Sequence, residues 1–382
     1  MIKQGIEILK KDNFKILKGK RVALLAHAAS VDINYTHILE LLLKNNINIK
    51  VIFGPEHGVK GAAQDMEGVD DEKEIVKTVT LYDGTYESLF PKIEDLKGID
   101  TILIDLQDVG SRYYTYIYTA SFFLEKAKEL SIEVIILDRV NPIGGTQIEG
   151  NLVESGFESF VGYYPYFLNR HSLTIGEMLN VINDKIGADL KVIHIENYKR
   201  EDSPDSLVNW ILPSPNMPTF ETALLYPGGC LIEGTTLSEG RGTTKPFHFI
   251  GAPYINSSKL KMILDSHNLE GIKFRDISFK PMFQKYANEI CNGVELHITD
   301  KFDFLPLKTY LTLIYEIYHN FKEFDFRRKE YEFVEKPIAM DLLFGTDKVR
   351  KAIENGEKLE NIYKMLTPPK EGLEIINKFK IY

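Results

Sequence analysis

The sequence at positions 100–106 reads Asp100-Thr101-Ile102-Leu103-Ile104-Asp105-Leu106 and is typical of a strand buried on both faces. It runs into a polar, glycine-containing stretch at 107–112. Two further apolar runs, ending at 54 and at 137, are followed by similar polar and glycine-containing sequence. Helical patterns at 35–45 and 115–130 separate the strands. Strands that alternate with helices form parallel βαβ units, so the sequence predicts a doubly wound α/β domain at the N-terminus.

Polar residues follow each predicted strand at the point where the strand ends. Right-handed crossovers bring these ends to one edge of a parallel sheet, where open α/β sheets bind their ligands. The residues expected to gather there are Glu56, His57, Gln107, Asp108, Arg112, Asp138 and Asn141. The turn Gly54-Pro55-Glu56-His57-Gly58 is the most unusual, because turns favour small polar residues. A glutamate that caps the next helix is the alternative interpretation.

Length and composition limit the class of protein. A chain of 382 residues is too long for one compact core and suits two domains. The apolar fraction of 44% and the charged fraction of 26% are typical of a soluble globular protein. The net charge of -9 and the lack of a basic block argue against nucleic acid or an anionic membrane as a partner. The oligomeric state is left open.

The cysteines and the hydropathy pattern bear on localisation. Cys230 and Cys291 lack metal-ligand spacing and are too few for a disulfide framework, so we interpret them as buried apolar residues, with one disulfide as the alternative. No apolar run reaches 18 residues, and the first seven residues contain no apolar signal segment. We therefore expect a cytoplasmic protein, or a secreted one if a signal has been removed.

The pattern changes in the second half of the chain. The alternation continues through a helix at 174–186, where Thr174 and Glu177 form a predicted capping box, to a strand at 190–195. Four prolines then interrupt the segment 203–219, as expected of a linker. We place the boundary near Thr222, which gives an α/β domain at 1–222 and a smaller α+β domain at 223–382. The second domain has an alternating strand at 294–298 and helical patterns near 307–321 and 359–365.

Several common kinds of site lack their signatures. The first strand is followed by His27-Ala28-Ala29-Ser30 instead of a glycine-rich dinucleotide turn, and the stretch 240–244 lacks the lysine of a phosphate-binding loop. No nucleophile elbow is present. A metal held by His27, His57, Asp105 and Asp108 is the alternative, although the spacing of these residues matches no known ligand set. We expect neither a cofactor nor a metal.

Carboxylates are the best-supplied catalytic groups. Glycoside cleavage needs a carboxyl group that protonates the leaving oxygen and a second group that acts on the anomeric carbon. Glu56, held by a Gly-Pro turn, suits the acid, whereas His57 is more typical of a structural histidine. The tyrosines at 113–118 are core residues or stack on sugar rings. A later loop, at 232–247, is either solvated or binds a polyol and a carboxylate through its hydroxyls and through Glu233, Glu239 and Arg241.

Five ordered motifs resemble one known family, the NamZ-type exo-β-N-acetylmuramidases. The motifs are FGPEHG at 53–58, DLQDVGSRYYTY at 105–116, LDRVNP at 137–142, PSPNMPT at 213–219 and EGTTLSEGRGTT at 233–244. The resemblance spans nearly the whole chain. It implies a Rossmann-like catalytic domain and a C-terminal auxiliary domain that completes a cleft. It also implies an enzyme that releases N-acetylmuramic acid from the non-reducing ends of peptidoglycan glycans.

The resemblance also implies residue roles. Glu56 would be the catalytic acid, and Glu239 and Arg241 would lie across the cleft, with Glu239 or the substrate's own acetamido group acting on the anomeric carbon. Arg112 and Asn141 carry over as binding residues. Either Arg241 or Arg112 would hold the lactyl carboxylate of N-acetylmuramic acid. From their positions in the motifs, we also expect His57, Gln107, Asp108 and Glu233 to bind substrate.

Two stretches depart from the family pattern and bear on substrate preference. His27-Ala28-Ala29-Ser30 stands where relatives have an Asn-containing turn, and Asn169-Arg170-His171-Ser172-Leu173 stands where they have Arg-His-Gly-Met. Two other functions remain as alternatives: a non-catalytic protein that binds muramyl sugars, and a metal-dependent hydrolase or deacetylase of cell-wall sugars. In each case the expected partner is a small amino sugar or a peptidoglycan fragment.

Overall fold

The structure, a computed structural model, describes residues 2–56, 58, 76–82, 84–202 and 210–382. The strands of its N-terminal half are β1 (Arg21–Ala26), β2 (Asn48–Gly54), β3 (Lys77–Thr80), β4 (Thr101–Asp105), β5 (Glu133–Leu137) and β6 (Leu190–Ile193). They form one sheet in the order β3-β2-β1-β4-β5-β6, and all neighbouring strands are parallel. The predicted doubly wound, Rossmann-like sheet is confirmed. The strand order reverses between β1 and β4, which is where such sheets open a ligand crevice.

Helices cover both faces of this sheet. They are α1 (Gly5–Lys11), α2 (Ile38–Lys44), α3 (Ile93–Leu96), α4 (Tyr116–Leu130) and α5 (Ile175–Ile186). Successive residues of β1 point to different apolar cores, because side chains alternate along a strand. Ala23 and Leu25 belong to the core that contains residues of α4 and α5, and Val22 and Leu24 belong to the core that contains residues of α1 and α2.

Capping contacts determine where helices α2 and α5 begin. Helix α2 begins three residues later than the pattern predicted, because Tyr35 has a left-handed backbone (φ 62°) and the His37 side chain caps the first turn. At α5 the predicted capping box is confirmed. The Glu177 N–H donates to Thr174 Oγ1 at 3.2 Å, and the Thr174 N–H donates to Glu177 Oε2 at 2.9 Å.

The second half of the chain is an α+β domain, as predicted. Its antiparallel sheet contains β7 (Phe249–Ala252), β8 (Ile272–Phe279) and β9 (Cys291–Ile298), in the order β7-β9-β8. Its helices are α6 (Phe220–Gly229), α7 (Ser257–Ser266), α8 (Pro306–Asn320), α9 (Ala339–Phe344), α10 (Lys348–Glu354), α11 (Leu359–Lys364) and α12 (Lys370–Phe379). A 3₁₀ turn, Cys230–Gly234, directly follows α6.

Helix α6 packs closely on α8 and thereby places the 3₁₀ turn that carries Glu233. A Cβ atom added at Gly228 would lie 2.2 Å from the Pro306 carbonyl oxygen, so only glycine permits this approach. Thr222, near which we placed the domain boundary, lies in the first turn of α6. The boundaries 1–222 and 223–382 stay a prediction.

Cys230 and Cys291 are buried and free, as expected of residues that pack as small apolar groups. Within the described ranges, no helix combines the length and hydropathy needed to span a bilayer.

Candidate active site

A cavity lies near the carboxyl ends of β2 and β4, and residues of the second domain close it. The space between its walls is about 560 Å³ when the solvent at its open mouth is counted. Acidic, basic, hydroxyl and aromatic side chains form its wall: Glu56, Tyr113, Tyr114, Thr115, Tyr116, Val161, Ser214, Asn216, Met217, Tyr226, Glu233, Arg241, Phe247, Tyr331 and Glu332. Both predicted domains therefore contribute to one site.

Glu56 enters the cavity from the turn that follows β2. The Thr115 hydroxyl, at the start of α4, donates to Glu56 Oε2 at 3.0 Å. The Tyr116 hydroxyl lies 3.2 Å from the Glu56 carbonyl oxygen and 2.7 Å from that of Pro213. Burial, together with the nearby Tyr114, raises the pKa of Tyr116 well above its usual value, so this hydroxyl stays a donor. The expected position of Glu56 in a cavity agrees with the structure, whereas His57 lies outside the described residues.

The second domain supplies an ion pair to the same wall. Arg241 Nη2 donates to Glu233 Oε1 at 2.7 Å, and the guanidinium lies 5.6 Å from the centre of the Phe247 ring. The Tyr331 hydroxyl donates to Glu233 Oε2 at 3.0 Å. Burial and the adjacent Glu233 raise the pKa of Tyr331 well above its usual value. Both oxygens of Glu233 thus accept strong hydrogen bonds beside the cavity.

Glu239 is held behind this wall. Its side chain is 3% exposed, and Glu239 is not among the described residues that line the cavity. Oε2 accepts a hydrogen bond from Lys285 Nζ at 3.0 Å, and Oε1 lies 3.9 Å from Arg241 Nε. Burial alone would raise the pKa of Glu239, but the charges of Lys285 and Arg241 hold it below its usual value. Glu239 is therefore ionised at neutral pH and contacts the cavity through Arg241.

Arg112 does not reach the cavity, which contradicts its expected role as a binding residue. The side chain is fully buried, and its terminal nitrogens donate to backbone carbonyl oxygens of Asn151, Phe167 and Leu343. Three carbonyl groups from distant parts of the chain thus accept hydrogen bonds from the terminal nitrogens. The structure assigns Arg112 to the junction between the two domains, and of the two arginines considered for the lactyl carboxylate only Arg241 lines the cavity.

Three other expected binding residues fold the loops beyond the strands instead of facing the cavity. The Gln107 amide donates to two backbone carbonyls, at 2.8 and 3.1 Å. Asp108 Oδ2 accepts a backbone N–H at 2.6 Å, and the Asn141 side chain both donates to and accepts from backbone groups. All three are buried and none lines the cavity, and Asp138 is fully buried as well. Their proximity to one another was predicted, but their binding role is not supported.

His27 and Asp105, which were considered as metal ligands, have other partners. His27 Nε2 accepts the Gln107 N–H at 3.0 Å, so the opposite ring nitrogen donates to the Pro213 carbonyl at 3.3 Å. Asp105 forms a bidentate ion pair with Arg139 at 2.5 and 2.9 Å. Among the residues that the structure describes, no three histidine, cysteine or acidic side chains are grouped so as to hold a metal ion.

Sequence patterns missed several residues that line the cavity or support its wall. Thr115 belongs to a quoted motif, but nothing in the motif indicated that its hydroxyl meets Glu56. Tyr331, Glu332 and Lys285 lie in segments without any recognised motif. Tyr331 and Lys285 are joined to the site by hydrogen bonds to residues 98 and 46 positions away, respectively. Contacts of this kind leave no periodic signal in the sequence.

The fold and the cavity together define a class of protein. A Rossmann-like sheet opens onto a cavity of carboxyl, hydroxyl and aromatic groups, and a second domain adds an arginine. A cavity that presents several carboxyl groups fits enzymes that cleave sugars, because glycoside hydrolysis commonly uses a pair of such groups. Comparison with known proteins identifies the family.

The chain belongs to the NamZ exo-β-N-acetylmuramidase family. The model of the family's N-terminal domain matches residues 22–221, and that of its C-terminal domain matches residues 224–382. The chain is 43% identical over 368 residues to the peptidoglycan β-N-acetylmuramidase NamZ of Bacillus subtilis (strain 168), covering 94% of this chain and 86% of the relative.

Two solved structures share the fold. Both are DUF1343 family proteins from Bacteroides fragilis. One is 30% identical with a TM-score of 0.88, and the other is 27% identical with a TM-score of 0.76. Each match covers 100% of this chain and 99% of the other. The likeness therefore extends over both domains.

Proposed function

We propose that this protein is an exo-acting glycosidase that releases N-acetylmuramic acid from the non-reducing end of peptidoglycan fragments, with Glu56 as the general acid. The observation that carries the proposal is one cavity in which Glu56 and the Glu233–Arg241 ion pair come from different domains. Family membership supports the reaction class. The relative from Bacillus subtilis, a peptidoglycan β-N-acetylmuramidase by name, supports the substrate.

The surroundings of Glu56 hold its carboxyl group in place at the cavity. Glu56 is partly buried beside tyrosines, and it receives a hydrogen bond from Thr115 that orients the carboxyl group. A general acid acts by giving its proton to the glycosidic oxygen as the bond breaks. We propose that Glu56 donates this proton in the cavity, at the carboxyl end of β2.

The group that acts on the anomeric carbon was left between Glu239 and the acetamido group of the substrate. Glu239 is buried behind Arg241 and is bonded to Lys285, which argues against direct attack on the sugar. We therefore favour the acetamido group, because substrate-assisted hydrolysis needs only one catalytic carboxyl in the acid role. In this proposal Glu239 acts indirectly, through Arg241.

Arg241 gives the site its preference for a muramyl sugar. N-acetylmuramic acid differs from N-acetylglucosamine by a lactyl group that ends in a carboxylate, and an arginine binds a carboxylate by charge-assisted hydrogen bonds of about 1.5–3 kcal/mol. Arg241 is the arginine that lines the cavity within the described part of the chain. Its replacement by methionine is expected to weaken muramyl ligands far more than glucosaminyl ones.

The test compares wild type with Glu56→Gln on a chromogenic N-acetylmuramide, with the released sugar identified by mass spectrometry. Glutamine keeps the shape but cannot donate the catalytic proton, so turnover should fall by about 10²–10⁴-fold. Glu129→Gln, the same change at an exposed site, is the matched control and should be neutral. Equal rates for wild type and Glu56→Gln would remove Glu56 from the chemistry. Binding without turnover by the wild type would favour a sugar-binding protein, and loss of activity with a chelator would favour a metal-dependent hydrolase.

A further inference from the structure

Lys285 lies in the loop between β8 and β9 and contacts the segment 232–241, which carries the Glu233–Arg241 ion pair. Lys285 Nζ donates to the carbonyl oxygens of Ile232 and Leu237 at 3.0 and 2.9 Å and to Glu239 Oε2 at 3.0 Å. An ammonium group has three N–H donors, so all three have acceptors here. Lys285 thus contacts the segment from Ile232 to Arg241 at three points.

The conformation of this loop is unusual for its sequence. Gln284, Tyr286 and Asn288 have left-handed backbones, with φ values of 66°, 58° and 66°. Residues other than glycine adopt this region rarely, and bulky ones pay an energetic cost that the surroundings must offset. Part of the offset comes from Gly242, whose carbonyl oxygen accepts the Met282 N–H at 2.9 Å. The loop is therefore held against the residues that follow Arg241.

Lys285 also balances charge at the cavity wall. A chain of alternating charges runs from Lys285 to Glu239, from Glu239 to Arg241 at 3.9 Å and from Arg241 to Glu233 at 2.7 Å. Without the lysine, two carboxylates would surround one guanidinium, and this cluster would carry a net negative charge. Glu56 and Glu332 also line the cavity and add negative charge whenever they are ionised. An excess negative charge in a partly buried site repels an anionic ligand.

We infer that Lys285 is a positioning residue that determines specificity, because its charge offsets that of Glu239. The Glu233–Arg241 pair is then not left beside a second, uncompensated carboxylate that would repel a sugar carrying a carboxylate. The inference rests on the proposed role of Arg241 in anion binding. Lys285 itself does not line the cavity within the described residues, so it acts through Glu239 and Arg241.

The test measures equilibrium binding of two ligands to the full chain by calorimetry at pH 7. The ligands are N-acetylmuramic acid and its lactyl methyl ester, which lacks the negative charge. Lys285→Met is expected to lower the preference for the acid over the ester by roughly tenfold, the effect of about 1.4 kcal/mol. Lys285→Arg keeps the charge and should retain most of the preference.

Two further variants separate charge from structure. In Lys285→Gln the side chain can still donate to carbonyl oxygens but carries no charge, so it should behave like Lys285→Met. The double variant Lys285→Met/Glu239→Gln removes one charge of each sign, and its preference for the acid should return to within about threefold of wild type, since coupled charges give non-additive effects. A purely structural lysine predicts the reverse, with the glutamine variant near wild type and the double variant no better than the single one.

The outcomes also distinguish this inference from the proposed function. If Arg241→Met keeps the full preference for the acid, the anion-binding role of Arg241 is wrong and the inference falls with it. If Arg241→Met loses the preference while Lys285→Met and Lys285→Gln keep it, only the inference about Lys285 is overturned. Far-ultraviolet circular dichroism and the unfolding midpoint confirm that each variant is folded. If Lys285→Met does not fold, Lys285→Gln provides the test of the inference.

Discussion

The hydroxyl of Thr115 offers a direct test of the general acid. It donates to Glu56 Oε2 at 3.0 Å and does not cap helix α4, so its removal affects Glu56 without weakening the helix end. Thr115→Val deletes the donor and keeps the side-chain shape. A hydrogen bond donated to a carboxylate favours the charged form, and its loss favours the protonated form. The variant should therefore hold the acid proton to higher pH.

The magnitude follows from the strength of such a bond. Hydrogen bonds to charged groups contribute about 1.5–3 kcal/mol, and about 1.4 kcal/mol corresponds to one pH unit. The cavity is open at its mouth, so we take the lower end, which is about one pH unit. A general acid must be protonated to act, and activity falls as pH rises through its pKa. The alkaline limb of the kcat/KM profile should move upward by about one pH unit in Thr115→Val.

The assay is the pH dependence of kcat/KM for release of N-acetylmuramic acid from a chromogenic glycoside, measured from about pH 4 to pH 9. Thr115→Ser retains a hydroxyl at the same position and should leave the alkaline limb in place. An unchanged limb in Thr115→Val, or a shift to lower pH, would refute the assignment of the acid role to a Glu56 carboxyl that accepts this bond.

Two further predictions concern stability. Gly228→Ala places a Cβ atom 2.2 Å from the Pro306 carbonyl oxygen and should lower the free energy of unfolding by about 1–3 kcal/mol, as measured by urea denaturation. An unchanged free energy of unfolding would mean that α6 and α8 can move apart at little cost. Burial alone would raise the pKa of Glu295, but hydrogen bonds from Lys245 and Arg275 hold it at about 2, so the stability they supply is lost as pH falls from 4.5 towards 2. Both cations are partly exposed to solvent, so the loss of stability should be only about 1–2 kcal/mol. Glu295→Gln should be less stable than wild type at pH 6 and should not show this loss on acidification. If the stability of the two proteins fell in parallel as the pH was lowered, the stabilising role of the Glu295 carboxylate would be contradicted.

The sheet was predictable because its evidence is local. The strands around Ile102 and Ile135 are continuous apolar runs, and the runs alternate with helical patterns, so handedness rules bring their ends to one edge. The capping box of Thr174 and Glu177 is likewise a short-range signal, since both partners lie within one helical turn. The beginning of α2 was less predictable, because the left-handed backbone of Tyr35 is not visible in hydropathy.

The site was only partly predictable, because a motif does not indicate the direction in which a side chain points. Glu56, Glu233 and Arg241 were singled out and do line the cavity. Arg112 and Asn141 were singled out by equally strong motifs, yet they bind backbone groups. Buried polar atoms need partners, and residues at the ends of strands can meet that need as readily as they can bind a ligand.

By itself the sequence determined the parallel sheet, the α+β second domain, the family and the placement of Glu56 at a strand's exit, because each depends on residues that are near one another along the chain. Only the tertiary structure decided which polar groups face the cavity and which charges balance there. Arg112 meets Leu343 across 231 positions, and Tyr331 meets Glu233 across 98. The first pair forms only when the two domains pack together, and the second only when the second domain has folded; burial then determines which charges must be neutralised.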